Sequence, residues 1–542
     1  MRYDRFRRDS LALLVAALVV LGGTGLSRAD DQQGSGDDQA KDDQAKIVPA
    51  DPAGTQPASD TGNSPARLMG DVDRFATYDA FGNRDPRASR WNPYQQNPLK
   101  ADFPVFGQRG FFELFAISNT NAKSRQDIGQ DSANDFEKSN LLLGFEIKRD
   151  EDTFQPSSLK FRLLGNFQAD HNGLIKDSNQ DAGFQEAVVQ ARLFEIGHNY
   201  DLSFFEGGIR PFRSDFNGLI LNDAVGVAHI FGTMKRALWK YNVGAATTLK
   251  KDPRSNLVTF SSDVPSTQQK IGFFSLVRED IIPGWTAEMS LHYNTDKRAE
   301  NLNVGYAGVA FSGHIRRWIF QPAFYLASGT DDLNPLSGEK EDVSAWLGLL
   351  DLRYPMDFII WRGAALYASG DGSLHDGKAK GFDSISDSIN LFGGPASFFV
   401  GEKINVAGRT LVNVNSALPS FRSGGRSNFV NPGVRLLNLG ADFVLTPKVA
   451  AAVDVSSVSF ADTGALFEAL DADPNFFPAG TTGIDKSIGT DASVALRWRP
   501  LLIDNFVVEV GASGLVPGDG LKALTGKDKT AYAARLNVLL VY

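Results

Sequence analysis

Apolar side chains fall on every second position in segment after segment of this chain, and that period limits what it can fold into. Leu141, Leu143, Phe145 and Ile147 alternate with Leu142, Gly144, Glu146 and Lys148. Trp285, Ala287, Met289, Leu291 and Tyr293 alternate with Thr286, Glu288, Ser290, His292 and Asn294. The same pattern runs through 159–168, 239–250 and 488–499. Successive side chains of a strand point to opposite faces, so each segment has one apolar face and one mixed face. Each is close to the roughly nine to eleven residues that a tilted strand needs to cross a bilayer. No apolar run approaches the roughly 18 to 20 residues of a spanning helix, and hydrocarbon admits only helices or closed barrels. The expected fold class is all-β, a transmembrane antiparallel up-and-down β-barrel.

Read this way, the chain yields about 18 strands beginning near Gly110, with about 16 as the alternative. Its connections sort by parity. Those after even-numbered strands are short, as at 197–199, 232–235, 280–284, 313–314, 355–357, 446–448 and 500–504, with 149–158 the exception. Those after odd-numbered strands are mostly long, as at 119–140, 251–268, 328–343, 370–432 and 461–486. Outer-membrane barrels have short periplasmic turns and long external loops. A soluble sandwich has no reason to segregate loop length by parity.

The two ends of the chain fit the same reading. Tyr532, Ala534, Leu536, Val538, Leu540 and Tyr542 are all apolar, with Arg535 and Asn537 between them. Tyr532, Leu536, Val538, Leu540 and Tyr542 resemble the terminal membrane-insertion signal of Gram-negative outer-membrane barrels, which implies outer-membrane lipid and the barrel-assembly machinery as partners. Arg2, Arg5, Arg7 and Arg8 precede the apolar run 11–21 and the small-residue exit Ser27-Arg28-Ala29, so residues 1–29 read as a signal peptide. Residues 30–66, with the repeats 37–41 and 42–46, are too polar to offset chain entropy and read as a disordered acidic tail in the periplasm. Residues 67–109 gain aromatics and prolines without a clean period, as a periplasmic or plug-like segment would; the barrel is expected over 110–542.

Composition removes several functions. The chain has no cysteine, so disulfides, thioether-bound haem and thiolate metal sites are excluded. Removing residues 1–29 takes away five basic and two acidic side chains and moves the formal charge from -9 to -12, a poor basis for binding nucleic acid. The six histidines lie in no nucleophile or metal-ligand spacing. No catalytic residue, metal or cofactor is expected, and 371–377 reads as a glycine-rich turn rather than a calcium loop.

The segments Ile209-Arg210-Pro211-Phe212, Ser214-Asp215-Phe216, Ser369-Gly370-Asp371, Gly381-Phe382-Asp383, 427–433 and Thr446-Pro447-Lys448 resemble a family of large porin-like outer-membrane β-barrels of environmental Gram-negative bacteria. The likeness spans most of 91–542. That family has no established substrate, so the resemblance implies the architecture and assigns no residue a role.

A barrel of 16 to 18 strands is wide enough for an aqueous channel. Passage of small hydrophilic solutes or ions is therefore the expected function, in the outer membrane. The faces opposite the apolar ones supply the expected pore lining: Lys160, Arg162, Glu186, Gln190, Arg192, Lys240, Glu288, His292, Asp442, Asp454, Arg497 and Glu509. With basic residues on early strands and Asp442, Asp454 and Glu509 on late ones, a transverse field across the lumen is one expectation, and mere solvation of the wall is the other. The connection 370–432 is expected to fold over or into the external mouth and control access, because it carries Phe382, Ile385, Phe398 and Phe399, with Gly393, Gly394 and Pro395 for a sharp turn. Two other functions stay open at this level: a barrel sheathing a multihaem electron-transfer cytochrome from the periplasm, and an embedded hydrolase. Self-association is also open.

Overall fold

The computed structural model describes residues 99–542 apart from 127–133, 151–155, 173–176, 197–200, 252–256, 260–265, 298–300, 387–391, 402–426, 472–481, 502–504 and 527. The expected signal peptide, the acidic tail and all of the 67–109 segment up to residue 98 lie outside the described residues. Eighteen antiparallel strands form one closed barrel: β1 (Gly110–Gln126), β2 (Asn134–Arg149), β3 (Leu159–Asn172), β4 (Asp177–Glu195), β5 (Leu202–Arg213), β6 (Asn222–Met234), β7 (Trp239–Leu249), β8 (Ser266–Ile282), β9 (Trp285–Asp296), β10 (Leu302–Ile315), β11 (Trp318–Asp331), β12 (Glu341–Met356), β13 (Ile359–Ala368), β14 (Val434–Thr446), β15 (Val449–Ser459), β16 (Ser487–Trp498), β17 (Phe506–Pro517) and β18 (Ala531–Val541). Each pairs with its sequence neighbour, and β1 pairs with β18 from Ile117↔Val541 to Gln126↔Tyr532 to close the ring. No edge is left along this seam for another chain to pair with.

The outer surface carries the apolar half of each alternation. Leu143, Phe167, Val243, Leu291, Val309, Leu326, Leu439, Val455, Val494 and Leu536 are all exposed. So wide an apolar exterior exceeds any patch a soluble monomer tolerates and is what lipid requires. Trp239, Trp285, Trp318, Trp361 and Trp498 stand at the short-turn ends of β7, β9, β11, β13 and β16, forming part of an aromatic girdle.

The parity of the connections holds for most of the ring, though the β3–β4 and β9–β10 connections on the long-loop side span only 173–176 and 297–301, and two long ones are shorter than expected. β1 and β2 pair as far as Arg125↔Asn134, leaving 127–133 instead of 119–140, and β11 and β12 leave 332–340 instead of 328–343. The hydrophobic alternation fades before the hydrogen-bond ladder ends. Outward positions of β1 become Ser118, Thr120 and Ser124, with Thr120 3.2 Å from Ser139, while pairs such as Asn121↔Lys138 continue the ladder.

At the short-turn end, Lys100–Phe106 is a short strand on the edge of β1 below the point where β18 stops. Leu114 N–H donates to the Leu99 carbonyl at 2.7 Å, and Tyr542 N–H donates to the Ala116 carbonyl at 2.8 Å. The two pieces therefore cover the same edge of β1 in succession. The Lys100 ammonium lies 4.3 Å above the Tyr542 ring, and Tyr542 is buried.

Side-chain direction makes the outward face testable. Leu291 and Val494 are 45% and 49% exposed on the outer wall. The adjacent inward residues Ser290 and Ser493 are buried, so the half-buried inward Gln190 is the better control. Leu291→Arg or Val494→Arg is expected to cost about 2–4 kcal/mol and to reduce the fraction of barrel that migrates anomalously on unheated gels. Gln190→Arg should assemble like the parent; equal damage on both faces would reverse the assignment.

Candidate channel lining and inserted loops

Residues directly opposite in an antiparallel ladder point to the same face, so the inward face can be followed around the ring. Lys160 opposes Lys148 and Gln190, Arg162 opposes Glu146, Gln190 opposes Glu206, and Arg192 opposes Phe204. On the later strands Asp454 opposes Ser493, and Arg497 opposes Glu509. Lys160, Arg162, Glu186, Gln190, Arg192, Lys240, Glu288, His292, Asp442, Asp454, Arg497 and Glu509 all fall on this inward face, opposite the exposed apolar positions.

They do not form one site. On β1–β6 a chain of opposite charges runs along the wall: Lys148 sits 2.9 Å from Glu113 and 3.2 Å from Glu146, and Lys160 lies 3.5 Å from Glu146. Arg162 bonds Glu146 and lies 3.7 Å from Glu186, while Arg210 pairs with Glu206 and Glu206 meets His229 at 3.1 Å. Across the barrel, Arg362 holds Asp442 at 3.0 Å and Asp454 at 2.8 Å, and Arg497 and Arg535 lie 3.6 and 3.9 Å from Glu509. Each wall neutralises itself locally. The expected transverse field is therefore corrected: acids and bases alternate within both walls instead of separating between them. Lys240 is drawn away to Glu279, 2.7 Å off at the short-turn end.

Glu288 and His292 serve another purpose. The β5–β6 connection, 214–221, folds inward, and Leu219, Ile220 and Leu221 are fully buried. Asp215 accepts from the Leu219 and Ile220 amides at 3.0 and 3.1 Å and from the Tyr325 hydroxyl at 2.9 Å. Phe216 N–H donates to Glu288, and His292 Nε2 lies 2.7 Å from Ser214 Oγ. Both residues of this Ser–His contact are buried, and His292 Nδ1 is without a hydrogen-bond partner.

The β13–β14 connection also folds into the barrel. Residues 381–386 lie against 427–431, with Gly381 N–H on the Phe429 carbonyl at 2.8 Å and Asn428 N–H on Asp383 at 2.9 Å. Ile385 and Ser386 amides both donate to the Ile220 carbonyl at 3.0 Å, joining the two inserted loops. Phe382, Ile385, Phe399 and Phe429 enter one apolar cluster with inward residues of β5–β8 and β10–β18. Further along, Gly393 turns with φ 86°, and a Cβ there would stand 2.8 Å from Ser493 Oγ, so only glycine fits. The short helix α1 (Phe398–Gly401) follows. Asp491 of β16 holds its start, bonding Ser397 and accepting from the Phe398 and Phe399 amides at 3.2 and 3.0 Å.

Several inward-facing residues were not among the expected pore lining: Glu113, Glu146, Lys148, Glu206, Arg210, Arg362, Asp491 and Arg535. Parity alone could have found Glu146 and Lys148, which alternate with Phe145 and Ile147. Asp491, which grips a segment 92 to 94 positions away, has no local signal. Asp491→Ala is expected to leave a heat-modifiable barrel while freeing residues 397–400, since hydrogen bonds to a charged group contribute about 1.5–3 kcal/mol each. Single-channel recording should then show larger and noisier conductance than the parent; an unchanged trace would mean that this segment does not narrow the lumen.

No family model and no curated protein matches the chain. Among solved structures it is similar to Acinetobacter baumannii OccAB4, with TM-score 0.47 and 11% identity over 83% of this chain and 100% of that one. Similar too are Pseudomonas aeruginosa OpdQ, with TM-score 0.46 and 12% identity over 79% and 98%, and Pseudomonas aeruginosa opdK, with TM-score 0.46 and 11% identity over 80% and 98%.

Proposed function

We propose that this protein is an outer-membrane channel that passes small hydrophilic solutes or ions through a lumen narrowed by its own loops. The short-turn end faces the periplasm and the long loops face outward, the arrangement in which such barrels insert. The observation that carries this reading is the pairing of an apolar exterior with an inward wall of charges in a closed barrel of 18 strands. A wall of that kind is wasted on a lumen that never meets water. Lys160, Gln190, Arg192, Asp442 and Arg497 remain partly exposed on the inward face, as residues lining a wet passage would.

The loops decide how wide that passage is. Residues 214–221, 369–386 and 427–433 pack against β5–β8 and β10–β18 and leave β1–β4 outside the large apolar cluster. The inward face of β1–β4, which carries Glu113, Lys148, Lys160 and Arg162, is the part of the wall that this cluster leaves uncovered. This favours a selective channel over an open sieve. It also disfavours the sheath, because these loops occupy space that an enclosed cytochrome would need. The enzyme reading has no support from the arrangement of the histidines.

Reconstitution tests the reading. Purified protein in planar bilayers is expected to give discrete openings with conductance well below that of an unobstructed 18-strand lumen. A bilayer that stays insulating, with folded inserted protein verified by its gel shift, would sink the channel.

A further inference from the structure

The short strand before β1 turns sharply into it. Residues 107–109 make the turn, with Gly107 at φ 66°, and Phe106 comes to lie opposite Gly110, where a Cβ would stand 2.6 Å from the Phe106 carbonyl oxygen. Asp150 N–H donates to the Arg109 carbonyl at 2.9 Å and ties this turn to the end of β2. Between the turn and the adjoining ends of β2 and β3 is a cleft of about 700 Å³, bordered by Phe106, Arg109, Ile147, Arg149 and Leu159.

The cleft opens on the outer wall. Ile147, Arg149 and Leu159 fall on the same face as the exposed Leu143 and Phe167, and Phe106 is 57% exposed. Toward the membrane centre, Phe112, Phe145 and Phe161 form a row on that face, with ring centroids 5.9 and 6.0 Å apart. This sector also departs from the aromatic girdle. Tryptophan stands at the short-turn ends of β7, β9, β11, β13 and β16, whereas none occurs between residues 92 and 238.

Two arginines gather on one carboxylate at the mouth of the cleft. Arg109 Nη1 lies 3.4 Å from Oδ1 of Asp150 and Arg149 Nε lies 3.5 Å from Oδ2, while the Ser158 hydroxyl donates to that Oδ2 at 2.6 Å. A guanidinium carries five N–H donors, so Asp150 takes up only part of either. The Arg109 and Arg149 side chains are 77% and 68% exposed. The Lys148 ammonium, which also borders the cleft, is turned inward to Glu113 and Glu146 at 2.9 and 3.2 Å. Arg109, Arg149 and Asp150 together therefore leave a single positive charge beside an apolar surface.

We propose that this cleft binds an anionic glycerophospholipid of the periplasmic leaflet, its phosphodiester between Arg109 and Arg149 and its acyl chains along Ile147, Leu159 and the phenylalanine row. The planar fork of a guanidinium matches phosphate oxygens bidentately. The surplus charge of the site matches the one negative charge of a phosphodiester, and the apolar border takes up hydrocarbon that a free anion lacks. Assignment to the periplasmic leaflet rests on the proposed orientation of the barrel; binding itself is independent of whether the barrel conducts.

Native mass spectrometry of the full-length protein, delipidated in detergent and titrated with phosphatidylglycerol, tests the site. Saturable adducts are expected, about fivefold weaker in Arg109→Ala and in Arg149→Ala and about twentyfold weaker in the double variant, all still heat-modifiable. Arg317→Ala, on the exposed β10–β11 turn, should bind like the parent. Phosphatidylcholine, whose head group has no net charge, should bind more weakly than phosphatidylglycerol, and equimolar inorganic phosphate should displace neither. Undiminished binding in the double variant, an equal loss in Arg317→Ala, or displacement by inorganic phosphate would overturn the site, pointing respectively to lipid held elsewhere on the wall, to rim charge in general and to a free-anion site. Conductance of the same preparations separates the two readings: a parent that binds lipid through these arginines in an insulating bilayer contradicts the channel alone, and a conducting parent whose lipid binding survives the double substitution contradicts the site alone.

Discussion

Everything in this fold depends on the requirement that no backbone amide or carbonyl be left unpaired in hydrocarbon. A strand cannot satisfy that alone, so the first and last strands must find each other across more than four hundred residues. The β1–β18 ladder does this over ten successive pairs. Because β1 is longer than β18, a stretch of its edge would remain open, and Lys100–Phe106 covers it. The terminal aromatic, buried at the junction of the two pieces, therefore belongs to the wall it completes.

Closure fixes two faces with opposite demands. Outside, lipid accepts any apolar side chain, and the wall exposes leucine, valine and phenylalanine freely. Inside, polar groups need partners, and the early and late walls supply them within themselves: Glu146 gathers Lys148, Lys160 and Arg162, and Arg362 joins Asp442 to Asp454. Charges so paired lower the penalty of a narrow lumen without imposing one sign on it. The loops obey a third rule. Their apolar side chains bury against the inner faces of β5–β8 and β10–β18, and two carboxylates, Asp215 on the loop itself and Asp491 on β16, hold the turns by their backbone amides.

The fold was legible because two periodicities, alternation along each strand and alternation of connection length, each report a constraint imposed by the membrane. Strand ends were less legible. Ser118 to Ser124 stay in the ladder after the hydrophobic signal has stopped, because hydrogen bonding and burial are separate causes. Arg162 and Arg497 lie on the inward face of their strands, but that Arg162 meets Glu146 and Arg497 meets Glu509 is set by register between strands, which has no local signal. The turn at Gly393–Gly394 could be seen in the sequence, yet the residue that holds the segment after it, Asp491, is known only from the fold.

Substituted-cysteine accessibility examines the central claim, that the inward face lines a wet passage and the outward face meets lipid. The natural absence of cysteine gives a silent background. In reconstituted protein, a membrane-impermeant thiol reagent should modify Gln190→Cys and reduce its conductance, while Val494→Cys stays unreactive until the protein is unfolded. Rapid modification of Val494→Cys from water, with Gln190→Cys silent in an open channel, would contradict the account.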